Sequence, residues 1–238
     1  MQRYQGESLY FSLSAELSEQ VRELSRREGV TVFMTLLAAY YILLHKYSGQ
    51  ENIVVGTDIT NRTHVETERL IGCFFNLLPL RADLSGAPSF REMLRRVREV
   101  TLGAYTYQGL PFEKLLENLS IKRDPGRAPL FQTLFILRNA PGEALELPGL
   151  HLTPFDLDNE VSKFDLTLFI DELEGAIIGA LEYNVELFDE ATMTRMIAHW
   201  QRLLEVMTKE PDGSLESVSM LMEEEGGQLI SAFNDDFE

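Results

Sequence analysis

The sequence predicts an α/β layered domain, in which strands and amphipathic helices share one core. Three observations point there. "VFMTLLAAYYILLHKYS" (residues 32 to 48) has helical length and is apolar nearly all round. The β-branched run "NIVVGTDI" (52 to 59) follows it directly. Beyond residue 128, strand-like segments recur between Gly, Pro and acidic turns and end in an amphipathic helix.

In chain order, "SLYFSL" (8 to 13) reads as a strand. Ser14 is placed to cap a helix with Leu17, Val21 and Leu24 on one face, and Gly29 ends it. Thr31 caps the apolar helix and Gly49 stops it. A helix without a polar face belongs inside a domain. After the strand at 52 to 59, polar "TNRTHVETER" (60 to 69) leads as a loop into a second strand, "LIGCFFNLLPLR" (70 to 81), with Phe74 and Phe75 expected in the core. From Ser89 to Tyr105, Phe90, Leu94, Val97 and Leu102 recur at helical spacing. Pro111 opens a further helix, since proline suits a first helical turn, with Phe112, Leu115, Leu116 and Leu119 as its buried stripe. Four strands are expected in "PLFQTLFIL" (129 to 137), "LHLTPFDL" (150 to 157), "FDLTLFIDEL" (164 to 173) and "GAIIGALEYN" (175 to 184), the last two pairing around Glu174 and Gly175. A final helix, Asp189 to Met207, carries Met193, Met196, Ile197, Trp200, Leu203 and Leu204 on its apolar side. The polar, acidic stretch from Lys209 reads as a linker.

Composition excludes several function classes. The 238 residues suffice to bury roughly 70 to 75% of the extended chain's surface. A formal net charge of −17 repels polyanions, and only Arg91, Arg95, Arg96 and Arg98 form a basic cluster, so nucleic acid is not expected as a partner. Cys73 is the single cysteine and cannot form an internal disulfide, and "MQRYQGESLYF" has no signal-peptide core, which fits a cytoplasmic setting. The longest apolar run, Val32 to Leu44, is about 13 residues, short of the roughly 20 that span a bilayer, so no membrane partner is expected.

Familiar catalytic signatures are missing. The sequence has no G-x-S-x-G elbow and no Walker A or G-x-G-x-x-G loop. His45, His64, His151 and His199 are scattered without metal-ligand spacing, and no metal site is expected. The abundant carboxylates read as solvated faces.

One segment, "YQGLPFEKLLE" (107 to 117), looks functional yet holds no obvious catalyst. Taken alone it is a loop entering a helix: Gly109 permits a turn, Pro111 fixes a backbone angle, and Glu113 complements the positive helix end. Together with "IGCFFNLLPLR" (71 to 81) and "RDPGRAPLFQ" (123 to 132), in that order, it resembles the late motifs of condensation domains of nonribosomal peptide synthetases: I-G-x-F-V-N-T-x-x-x-R, [HN]-Q-D-x-P-F-E and R-D-x-S-R-N-P-L. Asn76, Arg81, Gln108, Pro111, Phe112, Glu113, Arg123, Asp124, Arg127 and Pro129 match. Phe75, Leu77, Tyr107, Gly109, Gly126 and Ala128 depart from the usual Val, Thr, His or Asn, Asp, Ser and Asn. The resemblance extends through 33 to 62, "SKFDLTLFI" (162 to 170) and "EYNVELFDEATMTRM" (182 to 196), and "EEEGGQLISAFND" looks like a connector into an adenylation domain.

That resemblance implies a chloramphenicol-acetyltransferase-like lobe with a mixed β-sheet packed with helices, one of two lobes flanking a tunnel. Peptidyl carrier proteins bring thioesters there on phosphopantetheine arms, and an amide bond forms. The family's His-His-x-x-x-Asp-Gly motif lies in the first lobe and is absent from this sequence. The chain is therefore expected to be the C-terminal lobe (1–208) and a linker toward an adenylation domain (209–238), contributing tunnel wall and carrier-docking surface but no catalytic residue and no bound cofactor. The expected partners are the N-terminal lobe, carrier proteins and the adenylation domain. By the same resemblance Asn76, Gln108, Pro111, Phe112 and Glu113 border the tunnel or the lobe interface, while Arg81, Arg123, Asp124 and Arg127 make structural ion pairs. For Asn76 and Gln108, hydrogen bonding along the tunnel and a local backbone cap both stay open. A non-catalytic module that docks a carrier protein or an adenylation domain is the alternative.

Overall fold

The structure, a computed structural model, describes residues 5–60, 62, 65–68, 70–119, 121, 126–138, 161–173 and 175–220. The expected strand at 150 to 157, His64, His151, Arg123, Asp124, Glu174 and the connector-like tail lie outside the described residues. The elements in chain order are β1 (Gly6–Ser12), α1 (Ala15–Glu28), α2 (Val32–Ser48), β2 (Asn52–Ile59), α3 (Val65–Glu68), β3 (Asn76–Asp83), α4 (Phe90–Thr106), α5 (Phe112–Leu119), β4 (Thr133–Arg138), β5 (Leu166–Leu173), β6 (Ala176–Asn184) and α6 (Glu190–Lys209). The α/β expectation holds.

The chain forms two compact units, one of Met1–Ala15, Val54–Leu80 and Tyr107–Met193, the other of Glu16–Ile53, Arg81–Thr106 and Thr194–Glu238. The first holds most of a six-stranded mixed sheet ordered β1-β6-β5-β4-β2-β3. β6 runs antiparallel to β1 and β5, whereas β4 runs parallel to β5 and β2. Leu173 faces Ala176 across the β5–β6 turn, where Gly175 takes φ 84°, a left-handed angle that suits glycine in a tight hairpin. β3 alternates strictly: Asn76, Leu78, Leu80 and Ala82 point inward. Pro79 is tolerated in it because β3 is an edge strand, where a missing N–H breaks no ladder.

The second unit is helical. Thr31 Oγ1 accepts from the Met34 amide at 3.2 Å, and the Gly49 N–H closes α2 on the His45 carbonyl, as the capping residues predict. Met34 through Leu43 are all buried, so α2 is the core of this unit. α1 meets it through Ser25 Oγ and Thr35 Oγ1, 2.7 Å apart, and α4 packs against it too. Trp200 on α6 is buried as expected. Among the described residues no single helix is long and apolar enough to cross a membrane.

Four expectations are corrected. Leu102 is 46% exposed; the helical repeat from Phe90 and Val97 arrives at Thr101, one position earlier, and Thr101 is buried instead. The strand expected from residue 70 begins only at Asn76, since the carbonyls of Thr67, Leu70 and Gly72 bond to the Arg62 side chain rather than to a neighbouring strand. Phe75 accordingly is 67% exposed and outside the core. The α5 stripe is only half-buried, and Leu119 is exposed.

Residues 210 to 217, expected as the start of a linker, are docked. The α4 amides of Phe90 and Arg91 donate to the carbonyls of Gly213 (3.1 Å) and Pro211 (2.8 Å), and the Leu215 amide donates to Pro88 O. Arg91 pairs with Asp212 at 2.7 Å and Glu28 at 2.9 Å, and Leu215 is buried. The first amides of a helix lack intrahelical acceptors, and this segment supplies them.

Candidate functional site

The site is built in the first unit from the three motif-like segments. β3 ends the first of them with Asn76 facing inward, 9% exposed. Its Nδ2 donates to the carbonyls of Gln108 (2.9 Å) and Leu110 (2.8 Å), and its Oδ1 accepts from the Phe112 amide at 3.0 Å. One side chain thus ties the 107–112 loop to the sheet and caps the first amide of α5. The loop turns on itself, Leu110 N–H donating to Tyr107 O, and Leu115 N–H donates to Pro111 O, so Pro111 immediately precedes the helix. The third segment arrives through Phe131, whose ring lies 5.5 Å from Phe112 and 5.7 Å, stacked, from Phe164. Phe131 leads into β4 after a three-residue turn in which its amide donates to Pro129 O and Leu130 holds φ 75°. Gly56 on β2 makes room: a Cβ there would stand 2.2 Å from the Phe131 ring. Phe131, Leu134 and Ile136 form the core beneath, with Val54, Leu77, Phe112 and Phe164 against it.

Over this platform lies a cleft of about 470 Å³ lined by Cys73, Phe74, Phe75, Asn76, Leu77, Pro111, Phe112 and Glu113. Among the described residues no imidazole lines it. With the Asn76 amide already committed, the cleft offers shape, aromatic surface, a thiol and the Glu113 carboxylate. Two carboxyls elsewhere in this unit are tuned by burial: Asp165 is raised because desolvation outweighs the Arg127 charge, and Asp58 is raised because desolvation outweighs a backbone hydrogen bond and the Arg138 charge.

The sequence profile of the family described as Condensation domain matches residues 1–230. The chain belongs to the condensation-domain family. Its fold is the chloramphenicol-acetyltransferase-like fold of condensation domains. It is 46% identical over 236 residues to a linear gramicidin synthase of Brevibacillus parabrevis, covering 98% of this chain and 5% of that protein. It is 41% identical over 233 residues to malpinin synthetase of Mortierella alpina, covering 98% of this chain and 3% of that protein. Among solved structures, a holo four-domain nonribosomal peptide synthetase bound to AMP and glycine superposes with a TM-score of 0.87 at 25% identity, over 95% of this chain and 18% of that one. The X-domain from teicoplanin biosynthesis gives 0.84 at 28% identity, over 92% of this chain and 50% of that one.

In this condensation-domain chain the site residues picked from sequence fall into two groups. Asn76, Pro111, Phe112 and Glu113 line one cleft. Gln108 joins them through its carbonyl rather than its side chain. The Asn76 side chain caps the 107–112 loop and the first amide of α5. Arg81, on β3, donates to the Asn52 side-chain oxygen at 2.6 Å and acts on Asp83 by charge. Arg127 is exposed and acts on Asp165 by charge. Arg123 and Asp124 lie outside the described residues. Sequence reasoning missed Phe131, Gly56 and Arg62. The strand glycine at 56 was the available signal for close approach.

Proposed function

We propose that this region is the second lobe of a condensation domain, one wall of a chamber in which the amine of one carrier-bound aminoacyl group attacks the thioester of another, releasing a carrier thiol and forming an amide. Both substrates arrive on phosphopantetheine arms of carrier proteins. The proton-handling histidine comes from the other lobe, and residues beyond the docked 210–217 segment lead toward an adenylation domain. The observation that carries this reading is the convergence of the three motif-like segments: Asn76 clamps the second to the first, and Phe112 on Phe131 joins the third. Two further facts support it. The chain matches half of the teicoplanin X-domain structure, and it contains no His-His-x-x-x-Asp-Gly sequence. The platform orients reactants, and positioning alone contributes several kcal/mol to such a rate, about 7 or more in well-oriented systems.

The test mixes two loaded carrier proteins with this chain, with and without the separately produced first lobe, and follows the amide product by mass spectrometry. Product is expected only with both lobes. Product from this chain alone overturns the proposal.

A further inference from the structure

Arg62 follows β2 and has no part in the function proposed above. Its Nη1 donates to the carbonyls of Thr67 and of Leu70, the latter at 3.0 Å, and its Nη2 donates to Gly72 O at 3.3 Å. Its guanidinium carbon stands 4.2 Å from the centroid of the Phe74 ring. A stretch that joins no strand must find partners for its carbonyls elsewhere, and here one side chain meets three of them. Few groups are suited to this. A guanidinium offers five N–H donors in a flat fork and a face that stacks on an aromatic ring, whereas an ammonium offers three donors from a single point and no face.

Leu70, Ile71 and Phe75, the apolar side chains that would ordinarily anchor such a segment, are exposed. Gly72 completes the arrangement: a Cβ there would approach the Phe74 ring to 3.3 Å, so a bare glycine lets the ring lie over the arginine. The same ring, between Cys73 and Phe75, lines the cleft shared with Pro111, Phe112 and Glu113.

We infer that Arg62 is a positioning residue: by gathering the carbonyls of Thr67, Leu70 and Gly72 and stacking beneath Phe74, it sets the wall of the Cys73–Glu113 cleft. This rests on the reading that the cleft borders the reaction chamber. Arg62 acts through Phe74 and the loop backbone.

Cys73 is the chain's single cysteine and is exposed, so its thiol reports on this loop alone. In the 238-residue chain, Arg62→Met and Arg62→Lys are expected to change the rate of Cys73 alkylation by an uncharged maleimide about threefold or more, since thiol reactivity follows access and local charge. Arg62→Lys keeps the charge and isolates the contribution of the fork. Phe74→Leu should reproduce the change, and thermal melting followed by circular dichroism should stay near the parent's in all three. In the intact synthetase carrying this region, the arginine substitutions should lower kcat about tenfold with little change in KM for the carriers, as expected of lost alignment. Alkylation rates equal to the parent's in folded Arg62→Met and Arg62→Lys overturn the inference. A changed alkylation rate with unchanged turnover also overturns its catalytic side and moves the cleft away from the chamber. Failure of lobe complementation with both responses intact leaves Arg62's role standing and counts only against the two-chain reading.

Discussion

Asn76 uses both ends of its amide, so the two ends can be tested apart. Asn76→Ala removes three bonds at a nearly buried position, and at about 1 kcal/mol for each the expected loss is roughly 2 to 3 kcal/mol. Asn76→Asp keeps the acceptor for the Phe112 amide but turns a carboxylate toward the carbonyls of Gln108 and Leu110. It should cost at least as much as alanine at neutral pH and recover partly on acidification, when a protonated acid can donate once; denaturant melts at both pH values check this. A second residue responds to alkali. Tyr183 is pushed up to about 12, first by burial and then by the hydrogen bond it donates to Glu7 and that carboxylate's charge. Below its ordinary value of 10.0 the phenol is neutral in folded and unfolded chains alike and the folded state keeps its full advantage. Between 10.0 and about 12 the unfolded chain ionises first, so stability should fall as pH rises through that window. Titration by tyrosinate absorbance should show a late phenol that Glu7→Gln brings back toward 10.0. The sequence made Asn76 visible as a position, but its partners lie 32 to 36 residues away and leave no local trace.

Among the elements, those with strong local signals were legible. α2 has its cap, its αL stop and an unbroken apolar run, and α4 and α6 have one-sided repeats. What failed were the places where a side chain or a distant segment substitutes for a neighbouring strand. The start of β3 was misplaced because Arg62 takes the preceding carbonyls, and α5 was judged deeper than it is because apolar spacing does not tell how much covers a helix. The docked 210–217 segment belongs here too. Acidic and turn-forming residues read as a linker, yet the carbonyls of Pro211 and Gly213 cap α4 and Leu215 is buried. A chain ending at residue 208 should therefore melt earlier than one ending at 220. The loss from Leu215 burial alone is about 2 kcal/mol, measurable by calorimetry, and equal melting temperatures would show the docking to be energetically idle.

At the scale of the molecule, the α/β class was legible from alternating periodicities, and the family from three short segments in series. The strand order was not. Nothing near Gly6–Ser12 says that its neighbour is Ala176–Asn184, because pairing across that span is decided by the assembled core rather than by local sequence. This ordering has a temporal consequence. Gly6 and Asn184 are register partners, and a ribosome adding about 5 to 20 residues per second needs roughly ten to thirty-five seconds to travel between them. The β1 strand thus waits through most of this region's translation for its sheet neighbour, with its hydrogen-bonding edges open to chaperones or to the same strand on an adjacent nascent chain.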